Sequence, residues 1–170
     1  MRTDSLLSVA DALGVTLSYL LGIDSSEPNR EHVMHRVPVL GRIAAGEARE
    51  AIEQADEWHA TRDELWRGHE RAFWLVVSGN SMNRLFPEGS LVLVDPSLDV
   101  RDGDVAAVFV NGDDATLKRV YFEGGSVRLH PESHDPEYAD RVIDPADPLA
   151  PEFRPIGRVI SYTAPDGWRA

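Results

Sequence analysis

The sequence predicts a mainly β domain of short packed and coiled sheets, preceded by a small helical hairpin. Three observations support this prediction. Short β-branched or apolar runs follow one another from Val37 onward, turn-forming pieces separate them, and helical periodicity is confined to the first part of the chain. With 42% hydrophobic and 27% charged residues, the chain has the composition of a folded globular protein.

The first part of the chain is predicted to form two short helices. Apolar residues recur there at helical spacing, and Gly14 and Gly22 are placed to end the two segments, while Thr16 can cap the second. The apolar positions are Leu6, Val9, Ala10, Leu13, Leu17, Leu20 and Leu21. The stretch from Val9 to Gly22 resembles the last two helices of the helix-turn-helix domain in phage-repressor-like regulators. Residues 1–22 are therefore interpreted as a remnant of such a domain.

Residues 23–36 are predicted to be a linker. Ser25, Ser26, Pro28 and Asn29 interrupt any periodicity in this polar stretch. We expect the boundary of the β domain near Val37, with residues 37–170 forming that domain.

Seven strands are expected in this second domain, with no helix between them. Turn-forming pieces such as Pro87-Glu88-Gly89, Asp102-Gly103 and Gly124-Gly125 separate them. The predicted strands are Val37–Ile43, Ala72–Ser78, Ser90–Asp95, Asp104–Val110, Ala115–Phe122, Ser126–His130 and Arg154–Tyr162.

Composition excludes several classes of function. The absence of cysteine excludes disulfides, thiol nucleophiles and cysteine-ligated metals. The net charge of −12, without a basic cluster, disfavours binding to a phosphate backbone. No apolar run approaches the roughly 20 residues that span a bilayer, and no signal-peptide pattern opens the chain, so we expect a cytoplasmic protein without membrane contact.

A serine in a glycine-containing turn is the first candidate catalytic residue. The segment Val77-Ser-Gly-Asn-Ser-Met82 reads as a strand that runs into a turn. Such a turn can project the Ser81 hydroxyl at a strand end while nearby backbone N–H groups point at one spot, as an oxyanion site requires. A serine in such a turn can also serve the turn alone.

The only lysine of the chain, Lys118, is the second candidate. Strand alternation places it on one face with Thr116 and Val120. If that face is inward, burial disfavours the ammonium, and lowering the pKa of a lysine from near 10.4 to about 7 corresponds to roughly 4 to 5 kcal/mol. A neutral lysine can accept a proton from a serine hydroxyl. The alternative is that the side chain extends its amine to water.

The third piece is an extended segment that contains small residues. Ala44, Ala45 and Gly46 follow the first predicted strand and are small enough to enter a narrow cleft. On its own this segment is a strand that ends in a loop.

Together the three pieces resemble the self-cleaving domain of LexA, UmuD and phage repressors, the S24 peptidase family. Ser-Gly-Asn-Ser-Met is similar to the family's nucleophile motif, Leu117-Lys118-Arg119 to its lysine strand, and Ala45-Gly46 to its scissile bond. The spacing agrees as well: 81 − 45 gives 36 positions, and 118 − 81 gives 37. The resemblance covers roughly residues 37 to 162.

The resemblance implies an activity and a set of partners. Ser81 would attack the Ala45 carbonyl, Lys118 would accept and return the proton, and the backbone N–H groups near Asn80 and Ser81 would hold the oxyanion. It implies a homodimer, no cofactor, and cleavage accelerated by a recombinase filament on single-stranded DNA. The expected function is a transcriptional repressor that is inactivated by self-cleavage in the response to DNA damage or in prophage control.

Two features depart from the family pattern. The recognition helix of the helix-turn-helix domain is missing before Met1, so operator DNA would be bound only through the upstream helices of a longer form. The charged segment Glu47–Arg71, with Trp58 and Trp66, matches the family loosely; it is either an arm that carries or shields the scissile bond or a surface excursion.

Other functions stay open on the sequence alone. One alternative is a noncatalytic dimerisation or antirepressor module with the same fold. Another is a serine–lysine peptidase that processes other proteins, although the missing membrane anchor disfavours a signal peptidase. A metal site at His130 and His134, with Glu132 and Asp135 nearby, is disfavoured because the stretch is a predicted loop without a convincing third and fourth ligand.

Overall fold

A computed structural model describes residues 3–12, 17–23, 33–41, 43, 48–111, 115–165 and 167–168. The chain divides into two compact units, Met1–Met34 and His35–Ala170. None of the helices in these described ranges is long and apolar enough to cross a membrane.

The first unit contains the two predicted helices, α1 (Thr3–Ala12) and α2 (Leu17–Leu20). Ala10 is buried in α1. After α2, the N–H of Gly22 donates to the carbonyl of Tyr19, and the N–H of Ile23 donates to that of Ser18. With Gly22 at a φ of 67°, this is the Schellman ending that its glycine predicts. Gly14 and Thr16 lie outside the described residues.

The second unit is mainly β, which confirms the predicted fold class. The prediction that no helix lies between the strands was wrong, because the described residues of this unit contain two short helices after the first strand, α3 (Ala48–Glu53) and α4 (Asp63–Trp66). The first strand of the sheet, β1 (Met34–Leu40), begins upstream of the expected boundary at Val37. The other strands are β2 (Glu57–Arg62), β3 (Phe73–Val76), β4 (Leu91–Asp95), β5 (Val105–Val110), β6 (Thr116–Glu123), β7 (Ser126–His130), β8 (Arg141–Ile143) and β9 (Phe153–Thr163).

The nine described strands form one sheet in the order β2-β1-β3-β4-β9-β5-β6-β7-β8. Strand β1 pairs with β3 in parallel, and the pairs from β3 through β8 are antiparallel. The register shifts between Leu93 and Val94 on β4, and between Ala107 and Val108 on β5. Such bulges bend strands and increase their twist, as the predicted coiled sheets require.

The largest cluster of buried side chains includes the sequence neighbours of the two candidate catalytic residues, Ser81 and Lys118. It combines residues of β3, β4, β5 and β6 with Met82 and Phe86 from the turn that follows β3. Burial of this many apolar side chains anchors the turn and strand β6 to the same body, because each fully buried large apolar side chain contributes roughly 1.5 to 3 kcal/mol. The core therefore fixes the two elements that carry Ser81 and Lys118.

The segment 47–71 forms regular structure where the sequence predicts only an arm or a surface excursion. From Ala48 onward it contains α3, β2 and α4, and β2 lies at one edge of the sheet. The Thr61 hydroxyl of β2 is buried and accepts a hydrogen bond of 2.7 Å from the indole N–H of Trp74 on β3. Much of this segment is thus part of the fold.

Candidate active site

Ser81 lies at the start of a tight turn that the backbone holds in place. The N–H groups of Leu85 and Phe86 both donate to the carbonyl of Met82, at 3.0 and 2.9 Å. Met82 is buried, and its side chain belongs to the core cluster. Gly79 has a φ of 80°, a conformation that favours glycine, and its N–H donates to the Glu88 carboxylate. The turn thus keeps the Ser81 hydroxyl at the end of β3, while the side chain next to it is anchored in the core.

Lys118 reaches Ser81 from strand β6. Its ammonium donates to three oxygens, the Ser81 hydroxyl at 2.9 Å, the Thr116 hydroxyl at 3.0 Å and the Leu117 carbonyl at 2.8 Å. The contact between Ser81 and Lys118 joins residues 37 positions apart in the sequence. The sequence predicted Thr116 on the same face as Lys118, and their hydrogen bond is consistent with that alternation.

The environment of Lys118 favours the neutral amine. Burial lowers the pKa of Lys118 from 10.5 to about 8, because desolvation penalises the ammonium. Among the described residues, no carboxylate pairs with the amine to offset that penalty. A substantial fraction of the lysine is therefore unprotonated at mildly alkaline pH, when its lone pair can accept the proton of the Ser81 hydroxyl.

A groove of about 160 Å³ opens beside the two side chains. Its walls come from the end of β1, from β3 and the Ser81 turn, and from the start of β6: Gly41, Leu75, Val76, Val77, Ser78, Gly79, Ser81, Met82, Ala115, Thr116 and Leu117. No acceptor in the described part of the chain binds the backbone N–H of Asn80 or of Ser81. These two groups remain available to a ligand, as an oxyanion site requires.

The residues directly after strand β1 lie next to the groove: Gly41 lines it. Ile43 is fully buried, and its carbonyl accepts a 2.9 Å hydrogen bond from the N–H of Ala115 just before β6. The expected cleavage site, Ala45 and Gly46, lies outside the described residues. Ile43 nonetheless attaches the segment immediately upstream of that site to the strand that carries Lys118.

The histidine stretch is held by contacts that leave no ligand set among the described residues. His130 pairs with Asp140, and Glu132 pairs with Arg119 at 2.6 Å. The backbone N–H of His134 donates to the side chain of Asn83. The sequence did not predict the pair between Glu132 and Arg119, although Arg119 belongs to the lysine motif.

Comparison with known proteins gives a consistent family assignment. The Peptidase S24-like family model matches residues 38–160. The chain is 31% identical over 132 residues to the LexA repressor of Lacticaseibacillus casei, which covers 77% of this chain and 59% of that relative. It is 44% identical over 96 residues to the LexA repressor of Koribacter versatilis, covering 56% and 44% of the two chains. With Repressor protein C2 of Salmonella phage P22 it shares 32% identity over 143 residues, covering 75% and 65%.

The chain spans between 44% and 65% of the length of these three relatives. The family match runs from Pro38 in β1 to Ile160 in β9, so it includes at least part of every described strand, together with the Ser81 turn and Lys118. On this match, the chain belongs to the Peptidase S24-like family.

Proposed function

We propose that this chain is the S24 part of a repressor-type transcriptional regulator that cleaves its own Ala45–Gly46 bond. Ser81 is the nucleophile and Lys118 the general base. The observation that carries the proposal is the 2.9 Å contact between the Ser81 hydroxyl and a buried lysine amine. Since burial lowers the pKa of that amine to about 8, the lysine can act as a base close to neutral pH.

In the proposed reaction the proton moves twice. The neutral amine of Lys118 takes the proton of the Ser81 hydroxyl while the serine oxygen attacks the carbonyl carbon of Ala45. The backbone N–H groups of Asn80 and Ser81 stabilise the negative oxygen of the tetrahedral intermediate. The Lys118 ammonium then donates its proton to the nitrogen of Gly46, and the carbon–nitrogen bond breaks to leave an ester between Ala45 and Ser81.

Water completes the proposed cycle. Lys118, neutral again, takes a proton from a water molecule that attacks the ester carbonyl, and then returns that proton to the Ser81 oxygen. The products are residues 1–45 with a new carboxyl end and residues 46–170 with a new amino end. No cofactor takes part in either half of this cycle.

The contacts of Ile43 support an intramolecular cut. Two residues separate the buried Ile43 from the Ala45–Gly46 bond, and an extended chain covers about 7 Å over two residues. A segment attached to Ala115 at this point is short enough to be presented to its own groove. Tethering of this kind replaces a bimolecular encounter by an intramolecular one, which favours self-cleavage over cleavage of other proteins.

The regulatory setting is proposed from the repressor names of the relatives and from the resemblance to the S24 family. Cleavage after Ala45 would cut the covalent link between the helical hairpin, which keeps strand β1, and the rest of the sheet, and we propose that this ends repression. We propose that the protein acts as a homodimer, that a recombinase filament accelerates the cut, and that operator DNA is bound through the upstream helices of a longer form. Control of a DNA-damage response or of a prophage follows from the same resemblance to LexA and phage repressors.

Self-cleavage can be tested with the purified chain at pH 7 to 10. Mass spectrometry is expected to show two products that meet at Ala45–Gly46. Ser81→Ala and Lys118→Arg should abolish them, the latter because arginine keeps the charge but does not lose its proton. Ser126→Ala, on the distant β6–β7 hairpin, serves as the matched serine control. An intact wild-type chain after prolonged incubation would instead support a noncatalytic dimerisation module.

A further inference from the structure

Backbone groups of the loop after β7 form hydrogen bonds with the Ser81 turn. The carbonyl of Glu132 accepts a 2.8 Å hydrogen bond from the N–H of Arg84, and the N–H of Glu132 donates to the sulfur of Met82. Two residues further on, the N–H of His134 donates to the Asn83 side chain at 2.8 Å. The three residues that follow Ser81 are thus each tied to the same loop.

The side chain of Glu132 joins this loop to the strand that carries the lysine. Its carboxylate accepts a 2.6 Å hydrogen bond from the guanidinium of Arg119, the neighbour of Lys118 on β6. A second donor of the same guanidinium binds the Gly103 carbonyl at 2.7 Å. Both side chains of the ion pair are at least three-quarters buried, with 25% and 19% exposure, so the pair is less screened than a surface salt bridge.

The distance between the reacting atoms depends on how these two elements are held. Ser81 lies in a turn and Lys118 in a strand, and the sheet hydrogen bonds that order β6 do not extend into the turn. A shift of about 1 Å between two reacting groups can lower a rate roughly a hundredfold. Contacts that hold the turn against the strand therefore affect the rate of the reaction.

We propose that Glu132 and Arg119 are positioning residues that hold Ser81 within hydrogen-bonding distance of Lys118. This inference rests on the proposed self-cleavage. Neither side chain contacts the Ser81 hydroxyl or the lysine amine, so they act through the turn and the strand.

A positioning role makes a distinctive prediction for the pH profile. Burial alone lowers the pKa of Lys118, and Glu132 does not contribute to it. Removal of the Glu132 carboxylate should therefore lower the cleavage rate at every pH without moving the midpoint near pH 8. An electrostatic role would move the midpoint instead.

The experiment compares the wild-type chain with Glu132→Ala, Glu132→Gln and Arg119→Lys. The matched control is Glu123→Ala, which breaks a similar 2.7 Å pair with Arg128 at the other end of the β6–β7 hairpin. Two rates are measured between pH 7 and pH 10: self-cleavage, and labelling of Ser81 by a fluorophosphonate, which needs an activated serine but no bound scissile segment. Thermal unfolding of each variant in a Ser81→Ala background reports whether it folds.

The positioning role predicts that Glu132→Ala lowers both rates ten- to hundredfold. Glu132→Gln should lower them less, because its amide oxygen can still accept a hydrogen bond. Glu123→Ala should have wild-type rates. Wild-type rates in Glu132→Ala, or a midpoint moved by a full pH unit, would overturn it. If Glu132→Ala does not fold, the rates of Arg119→Lys test the inference, and both should fall. A lysine cannot bind both Glu132 and Gly103 in the fork geometry of arginine. Unchanged rates in that variant would also overturn the inference. A wild-type chain that is neither cleaved nor labelled would overturn the proposed self-cleavage itself.

Discussion

Replacement of Lys118 by methionine tests whether the fold holds a lysine that prefers to be uncharged. Methionine has a similar length and no charge, so the variant keeps most of the packing and loses the ionisation. Both chains carry Ser81→Ala to remain intact at high pH. The substitution also removes the hydrogen bonds of the lysine, but the change of the stability difference with pH depends only on the pKa of the lysine in the folded and unfolded chains.

The expected magnitude follows from the shift in pKa. Burial lowers the pKa of Lys118 from 10.5 in the unfolded chain to about 8 in the folded one, and a pKa unit corresponds to about 1.4 kcal/mol, which gives a penalty of about 3 kcal/mol. Because the folded pKa is the lower one, unfolding takes up a proton between these two values. The penalty is therefore complete below pH 8 and disappears as the pH rises through 10.5.

Urea unfolding of both chains at pH 7, 8, 9 and 10 measures the difference in the free energy of unfolding. Relative to the methionine variant, the lysine chain should gain roughly 2.5 kcal/mol between pH 7 and pH 10. Since Lys118 is the only lysine of the chain, lysine labelled with carbon-13 at Cε gives one NMR signal, which should titrate near pH 8. The argument would be refuted if the free energies of unfolding of the two chains changed in parallel with pH and the lysine titrated near pH 10.5. Both results would mean that the amine is solvated.

Three further substitutions test the packing of the sheet through the free energy of unfolding in urea. Thr61→Val removes the acceptor of the buried Trp74 indole and should destabilise the fold by about 1 to 3 kcal/mol, whereas Thr61→Ser should not; equal losses would contradict the role of the hydroxyl. Ser90→Ala removes a buried hydroxyl that has no hydrogen-bond partner among the described residues, so we expect stability to be unchanged or higher by about 1 kcal/mol, and a clear loss would contradict this. Gly157→Ala places a methyl group 2.7 Å from the Asp95 carbonyl oxygen and should cost about 1 to 3 kcal/mol or more, whereas Gly41→Ala, with open space around it, should cost far less.

The strands that the sequence predicted well are those of the sheet interior. Each of the seven predicted runs overlaps one of the strands β1, β3, β4, β5, β6, β7 or β9, with ends displaced by three residues at most. Strands β4 and β5 are buried along nearly their whole length and contain continuous apolar runs, whereas β7 alternates buried and partly exposed residues. Both patterns are visible without any knowledge of the partners.

The two strands that the sequence did not predict lie at the edges of the sheet. Strand β2 has one buried side chain, Thr61, and strand β8 is three residues long with only Ile143 buried. An edge strand is hydrogen-bonded on one side and faces solvent over much of its surface, so it needs no apolar run. Its position is decided by the neighbouring strand, here β1 or β7.

The sequence by itself determined the mainly β fold class, because strand periodicity and turn chemistry are local properties of the chain. It indicated Ser81 and Lys118 through the resemblance of their motifs to the S24 family. It did not determine that β9 lies between β4 and β5, or that Glu132 bridges the Ser81 turn and the lysine strand. Those relations depend on which distant surfaces bury one another. The burial that lowers the pKa of Lys118 likewise exists only after the β6 strand and the Ser81 turn have packed onto one core.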